Sequence, residues 1–215
     1  MTSLTLHFLD ARGALTRVQP WLKAALSHTH AQATELMPLP PIDVVVKAGT
    51  QVIPEKGHLG YAPEPSLIYL TVDPGNPFFK ENTDASLERM FAHELHHCAR
   101  WEGPGYGHTL GEALVSEGLA GCFAQEVCGG APEPWECLAL PTVLPHVANA
   151  VSEWDRPDYD HAAWFFGTAS LPRWVGYSLG YQAVSRFLQA HPAQRASTLA
   201  ATPARAIFTY LRALG

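Results

Sequence analysis

His93, Glu94 and His97 stand in the spacing H-E-x-x-H. On an α-helix, residues four apart lie one above the other, so imidazoles at 93 and 97 can be aimed at a single ion. A carboxylate at 94 sits one step round the helix, beside that ion, where it can take a proton from an activated water. Zinc suits this donor pair, since it accepts imidazole readily and its catalytic sites keep one position open for water. A third ligand must come from elsewhere, and Glu117, twenty residues beyond His97, fits best. It shares a stripe with Ala113 and Gly121, small residues that let one helix approach another and leave a carboxylate room to reach across. Glu112 competes for the role, but Thr109-Leu110-Gly111-Glu112 reads as a capping box that already occupies its side chain.

The spacing works only on helices, and the surrounding residues supply them. Asn82-Thr83-Asp84 offers cap-type residues, with Asp84 and Glu88 near the positive end of the helix dipole. Leu87, Met90, Phe91, Leu95 and Cys98 recur at helical intervals up to Trp101, and Gly103-Pro104-Gly105 stops the run after about five turns. The capping box opens a second helix that reaches Cys128 before Gly129-Gly130. Upstream, residues 4–9, 42–46 and 67–72 read as strands. Residues 15–36 read as a helix that tolerates Pro20 only in its first turn. Gly60-Tyr61-Ala62-Pro63 reads as part of the Gly- and Pro-rich turns before the third strand. Downstream, residues 135–140 suggest a short turn or helix. Helices are expected over 145–154, 161–166, 172–190 and 197–214, the last with Thr202 as cap and Pro203 at its first position.

His93-Glu94-x-x-His97 followed by Glu117 resembles the gluzincin branch of zinc metallopeptidases. Three blocks narrow the resemblance: His93-Glu94-Leu95-His96-His97-x-x-Arg100, Leu114-Val115-Ser116-Glu117-Gly118-Leu119-Ala120, and Gly176-Tyr177-Ser178-Leu179-Gly180-Tyr181. Together they are similar to a bacterial domain-of-unknown-function family described as predicted zinc-dependent proteases. The resemblance implies zinc as cofactor, His93, His97 and Glu117 as ligands, and Glu94 as catalytic base. Many gluzincins carry an Asp shortly after the third ligand to orient a zinc-bound His. Here that region reads Gly118-Leu119-Ala120-Gly121 and holds no acid.

Peptide hydrolysis also needs a donor for the oxygen on which negative charge develops. Tyr177 is the first choice and Tyr181 the second, with His161 and His108 as alternatives. Each tyrosine follows a glycine, and two glycines inside one helix suggest close approach to another element. His96 is out of phase with the ligand pair and reads as a cleft-wall or solvent side chain. Arg100 reads as the partner of a local acid, and Trp164-Phe165-Phe166 as core.

With 215 residues, 47% hydrophobic and 16% charged, the chain suits one well-buried domain. A net charge of −6 gives no footprint for nucleic acid or an anionic membrane. The first ten residues make no convincing signal peptide, and no apolar run has the length of a membrane span. Cys98, Cys122, Cys128 and Cys137 lack C-x-x-C spacing and read as reduced, mostly buried thiols, with Cys98 as packing. No G-x-S-x-G and no phosphate-cradling glycine loop is present.

These readings combine into one α+β, zincin-like domain over residues 1–215. A small N-terminal sheet with one helix (1–80) packs on the H-E-x-x-H helix, and a mostly helical part carrying the active site (81–215) follows. The expected activity is that of a cytoplasmic zinc-dependent metallopeptidase acting on peptides or proteins, without nucleic-acid or membrane partners. The other class kept open is a metal-stabilised regulatory or binding module with little or no turnover. Zincins bind extended substrate along a free strand edge. The 60–72 region is the candidate for that edge, with an interior hairpin strand as the alternative.

Overall fold

Residues 4–9 alternate between half-buried and exposed positions and form β1 (Leu4–Leu9) in the computed structural model, which describes residues 3–215. The first two residues of the N-terminal stretch lie outside it. β2 (Ile42–Ala48) buries Ile42, Val44 and Val46 and turns Asp43 and Lys47 outward, as a sheet with one covered face requires. β1 and β2 are parallel and so need a crossover, which α1 (Gln19–Leu36) provides with Pro20 in its first turn. β4 (Leu67–Val72) pairs parallel with the other side of β2.

β3 (His58–Glu64) corrects the sequence reading. The Gly60-Tyr61-Ala62-Pro63 run is not a turn but a strand, antiparallel to β4 at the edge of the order β1-β2-β4-β3. Pro63 is tolerated because it sits on an edge strand, in the segment where the pairing register slips between Tyr61 and Glu64.

A short helix, α2 (Pro77–Glu81), is capped by the Asn76 side chain, which accepts from Phe78 N at 2.9 Å. Its Phe79 packs edge-on against Trp21 of α1, ring centroids 5.2 Å apart. The motif helix α3 (Ser86–Trp101) starts later than the cap residues suggest. Asp84 and Ala85 take positive φ of 56° and 54° in the preceding turn. Asn82 caps from further back: its Oδ1 accepts from Leu87 N at 2.9 Å and its Nδ2 donates to Glu88 at 2.8 Å. Both α1 and β3 pack on α3. The architecture is therefore α+β, with a small four-stranded sheet followed by helices.

The chain divides into two compact units, the first running to Glu102 and taking in Val127–Gly130. The second holds most of α4 (Leu110–Cys128), then α5 (Leu140–Val143), α6 (Val147–Ser152), a π-helical turn (Ala162–Phe166), α7 (Val175–Ala190) and α8 (Phe208–Arg212). α4 and α7 meet through glycine. A β-carbon at Gly118 would overlap the backbone of Gly180, and one at Gly180 would overlap the carbonyl of Leu114. The close approach expected of the glycines before Tyr177 and Tyr181 is thus met at Gly180 by the Glu117 helix. Gly176 instead lies against the Phe165 ring.

The continuous helix expected over 197–214 does not form. 3-10 turns at Ala196–Thr198 and Ala204–Ala206 precede α8, and Pro203 stays extended (φ −63°, ψ 142°) as the residue before the second turn. Ile207, between the second turn and α8, and Leu211, within α8, are both fully buried. Of the aromatic run, Trp164 and Phe165 are core, whereas Phe166 is 52% exposed. None of the four cysteines is in a disulfide; Cys98 and Cys122 are buried, and Cys137 is exposed. Among the described residues no helix is long and apolar enough to cross a membrane.

Candidate metal centre

One turn of α3 carries both imidazoles. The Nε2 atoms of His93 and His97 stand 3.0 Å apart, with ring planes at 77°. A tetrahedral zinc ion bonded at about 2.0–2.1 Å separates two such nitrogens by about 3.3 Å, so the pair is spaced nearly as a shared ion would demand. The ligand atoms of His93, His97 and Glu117 all lie within 4.8 Å of one another, a group that could hold a metal ion. His97 and Glu117 are buried and His93 is half-buried. Two imidazoles and one carboxylate are the donors of a catalytic zinc site that leaves room for water, and the residues present fit that ion.

Glu94 is buried at 7% exposure, and the edge strand presses on it. β3 runs along α3 through three contacts. His58 Nε2 pairs with Ser86 Oγ at 3.0 Å near the start of the helix. Gly60 sits so close to Met90 and Glu94 that any side chain there would collide with both. Trp101 Nε1 donates to the Ala62 carbonyl at 3.1 Å at the helix end. Cys98 is fully buried, and burial first, then the Glu94 charge, raises its thiol pKa far above the ordinary range. It is a packing thiol, as its position on the helix suggests.

Glu117 is held by a residue that sequence reasoning passed over. Tyr106 donates from its hydroxyl to Glu117 Oε1 at 2.8 Å. Burial first, then the neighbouring Glu117 carboxylate, raises the phenol pKa well above its ordinary value, so Tyr106 remains a donor. The charges of Tyr177 and Tyr159 act on the same phenol. His161 completes the cluster: it pairs with the Tyr159 hydroxyl at 3.1 Å, stacks on Phe165 at 4.5 Å and lies 6.1 Å from the Tyr106 ring. Burial lowers the His161 pKa against the opposing pull of Glu117. The one sequence signal for Tyr106 is its place between Gly105 and Gly107, directly ahead of the capping box.

The two candidate tyrosines part company. Tyr177 meets Phe165 edge-on at 5.0 Å and belongs to the group around Tyr106. Tyr181 is buried and donates to Gln125 Oε1, further along α4. His108 is exposed at the capping turn. Glu112 does cap α4: its Oε2 accepts from His108 N at 2.8 Å and Thr109 N at 3.0 Å, and these bonds lower its pKa. His96, read as a cleft-wall or solvent side chain, is fully buried, which rules out the solvent reading, and Arg100 is 1% exposed. The buried carboxylate of Glu136 lies against Gly121, where any side chain would displace it.

An α+β chain with two histidines and a glutamate gathered as a candidate zinc centre defines the class to which comparison then assigns it. The family described as "Predicted Zn-dependent protease", a domain of unknown function, matches residues 22–209, and the chain belongs to it. The chain is also similar to the uncharacterized protein YjfC of Bacillus subtilis (strain 168), with 26% identity over 153 residues, 64% of this chain and 50% of the relative. The matched region thus spans half the length of that curated relative.

Proposed function

We propose that this chain is a zinc-dependent metallopeptidase of the gluzincin type. His93, His97 and Glu117 hold the ion, Glu94 is the general base and Tyr177 the oxyanion donor. The observation that carries the reading is the gathering of three donor atoms of catalytic-zinc type within 4.8 Å, with the family assignment beside it. Zinc held by these residues would supply a Lewis acid for a water and for the scissile carbonyl. Glu94, as general base, would take a proton from the attacking water and return it to the departing amine. Tyr177 donates a hydrogen bond to the carbonyl oxygen as negative charge develops on it. β3 is the last strand of the sheet and runs beside Glu94, and an extended peptide adds to its outer edge as a further strand in this reading.

One observation favours a second reading, a regulatory or binding module that keeps the metal without turnover: Gly118-Leu119-Ala120-Gly121 supplies no acid to orient a ligating histidine. Zinc content and fluorogenic-peptide hydrolysis, measured on wild type and Glu94→Gln, separate the two. A peptidase holds about one zinc per chain and loses turnover to 1,10-phenanthroline, and E94Q keeps the metal but loses about 10²–10⁴-fold in rate. Zinc-loaded wild type that cleaves nothing in a broad peptide library is the module. E94Q that hydrolyses as fast as wild type overturns the assigned mechanism.

A further inference from the structure

Resting on the zinc reading above, we propose that Tyr106 is the positioning residue of Glu117, holding one carboxylate oxygen and so biasing the metal toward the other.

The hydroxyl of Tyr106 donates to Oε1 of Glu117 at 2.8 Å. A carboxylate has two oxygens with about four lone-pair sites, and a donor fixed on one fixes the plane of the group and biases a metal toward the other. The phenol can do this because its loop is fastened to the helix it serves. Gly105 and Gly107, on either side of Tyr106, take positive φ of 72° and 98°, a conformation that L side chains rarely adopt. Gly107 also packs on the Glu112 side chain, where a β-carbon would come 3.0 Å from Oε2 and 3.1 Å from Cδ. That same Oε2 holds His108 N and Thr109 N. The capping carboxylate therefore pins the loop at the start of α4, and Tyr106 reaches back from it onto Glu117. Partners that hold a ligand's second atom fix its orientation, and their loss weakens metal binding without removing a ligand.

The test is metal affinity on the full chain, by zinc competition against a chromogenic chelator, together with the visible spectrum of the Co²⁺ form. Tyr106→Phe keeps the ring and removes only the donor. It should weaken zinc by about 10–100-fold and shift the Co²⁺ bands as the carboxylate is freed to rotate. In a Glu117→Ala background the same change should weaken the residual affinity by less than about twofold, because a residue that acts through Glu117 has nothing left to act on. 3-Fluorotyrosine at position 106 keeps both ring and donor, and should restore affinity to within about twofold of wild type. It remains informative should the Phe variant fail to fold. Wild-type affinity and spectrum in Y106F overturn the inference and leave the zinc reading standing. An equal loss in both backgrounds, or a folded fluorotyrosine protein that still binds weakly, likewise overturns it. Wild type that takes up no zinc removes both.

Discussion

Gly60 on the edge strand and Glu94 on the motif helix are packed so closely that a β-carbon at position 60 would stand 2.6 Å from Glu94 Cγ and 2.8 Å from Oε1. The strand is held in that position from both ends, by His58 on Ser86 and by Trp101 on the Ala62 carbonyl, so it cannot swing aside. Gly60→Ala should therefore move the Glu94 carboxylate while leaving His93, His97 and Glu117 in place. A displacement of about 1 Å at a reacting group can cost about 10²-fold in rate. G60A should keep full zinc content and lose hydrolysis by that order. Metal analysis beside peptide kinetics checks it, and a variant with wild-type kcat means that the contact does not set the base.

Tyr177 and Tyr181 lie one turn apart on α7, yet only Tyr177 belongs to the group around Tyr106 and Glu117. Removing one oxyanion donor costs about 10²–10³ in kcat, and Tyr177→Phe should fall in that range with KM little changed. Tyr181→Phe gives up the bond to Gln125 and should instead lower stability by about 0.5–1.5 kcal/mol with kcat unaffected. Steady-state kinetics and thermal melts on both variants decide it. The reverse pattern would transfer the donor role to Tyr181.

Residues that obey a period were legible in the sequence, and residues that act through close approach were not. His93 and His97 share a face of α3 through helical spacing, Glu117 sits on α4 behind the Thr109–Glu112 cap, and β1 and β4 have the ends their alternation suggests. β3 stayed hidden because Gly60 and Pro63 are poor strand formers. Each has a tertiary reason to be there: Gly60 for the approach of Glu94, and Pro63 because an edge strand tolerates a missing donor. Tyr106 was missed for a related reason. Its loop has no periodicity, and its bond to Glu117 reaches eleven residues along the chain, from that loop to the second turn of α4 and beyond the range of a local cap. The Thr109–Glu112 cap could be read because it is local. The C-terminal helix was overread because the apolar positions of short 3-10 turns resemble those of a longer helix.

The crossing of α4 and α7 is a second place where a methyl group should matter. A β-carbon at Gly118 would meet backbone of Gly180 rather than the end of a flexible side chain, so relief requires the helices to separate. Overpacking of this kind costs about 1–3 kcal/mol and occasionally more. Gly118→Ala, next to the proposed ligand Glu117, should lower the melting temperature of metal-free protein and weaken zinc binding. Calorimetry of the apo form with a zinc titration tests this. An unchanged Tm would mean that the two helices do not pack as closely as described.

His58 makes acid stability testable with a definite sign. It is 1% exposed, and burial first, then the nearby Lys56 charge, lowers its pKa from the ordinary 6.5 to about 3. Because the folded value lies below the unfolded one, the unfolded chain binds the extra proton between those two values. Stability is therefore complete above about pH 6.5 and falls as pH drops toward 3, by about 1.4 kcal/mol per pH unit from this group alone. The change should appear as a difference in slope rather than in level. In denaturant titrations of metal-free protein at pH 7, 6 and 5, His58→Gln should start from a lower stability, having lost the imidazole packing. It should then lose less per pH unit than wild type, since its amide can still donate to Ser86 without titrating. Parallel slopes in the two proteins would show that His58 takes up its proton in the folded state, and that its contact with Ser86 opens before the rest of the fold.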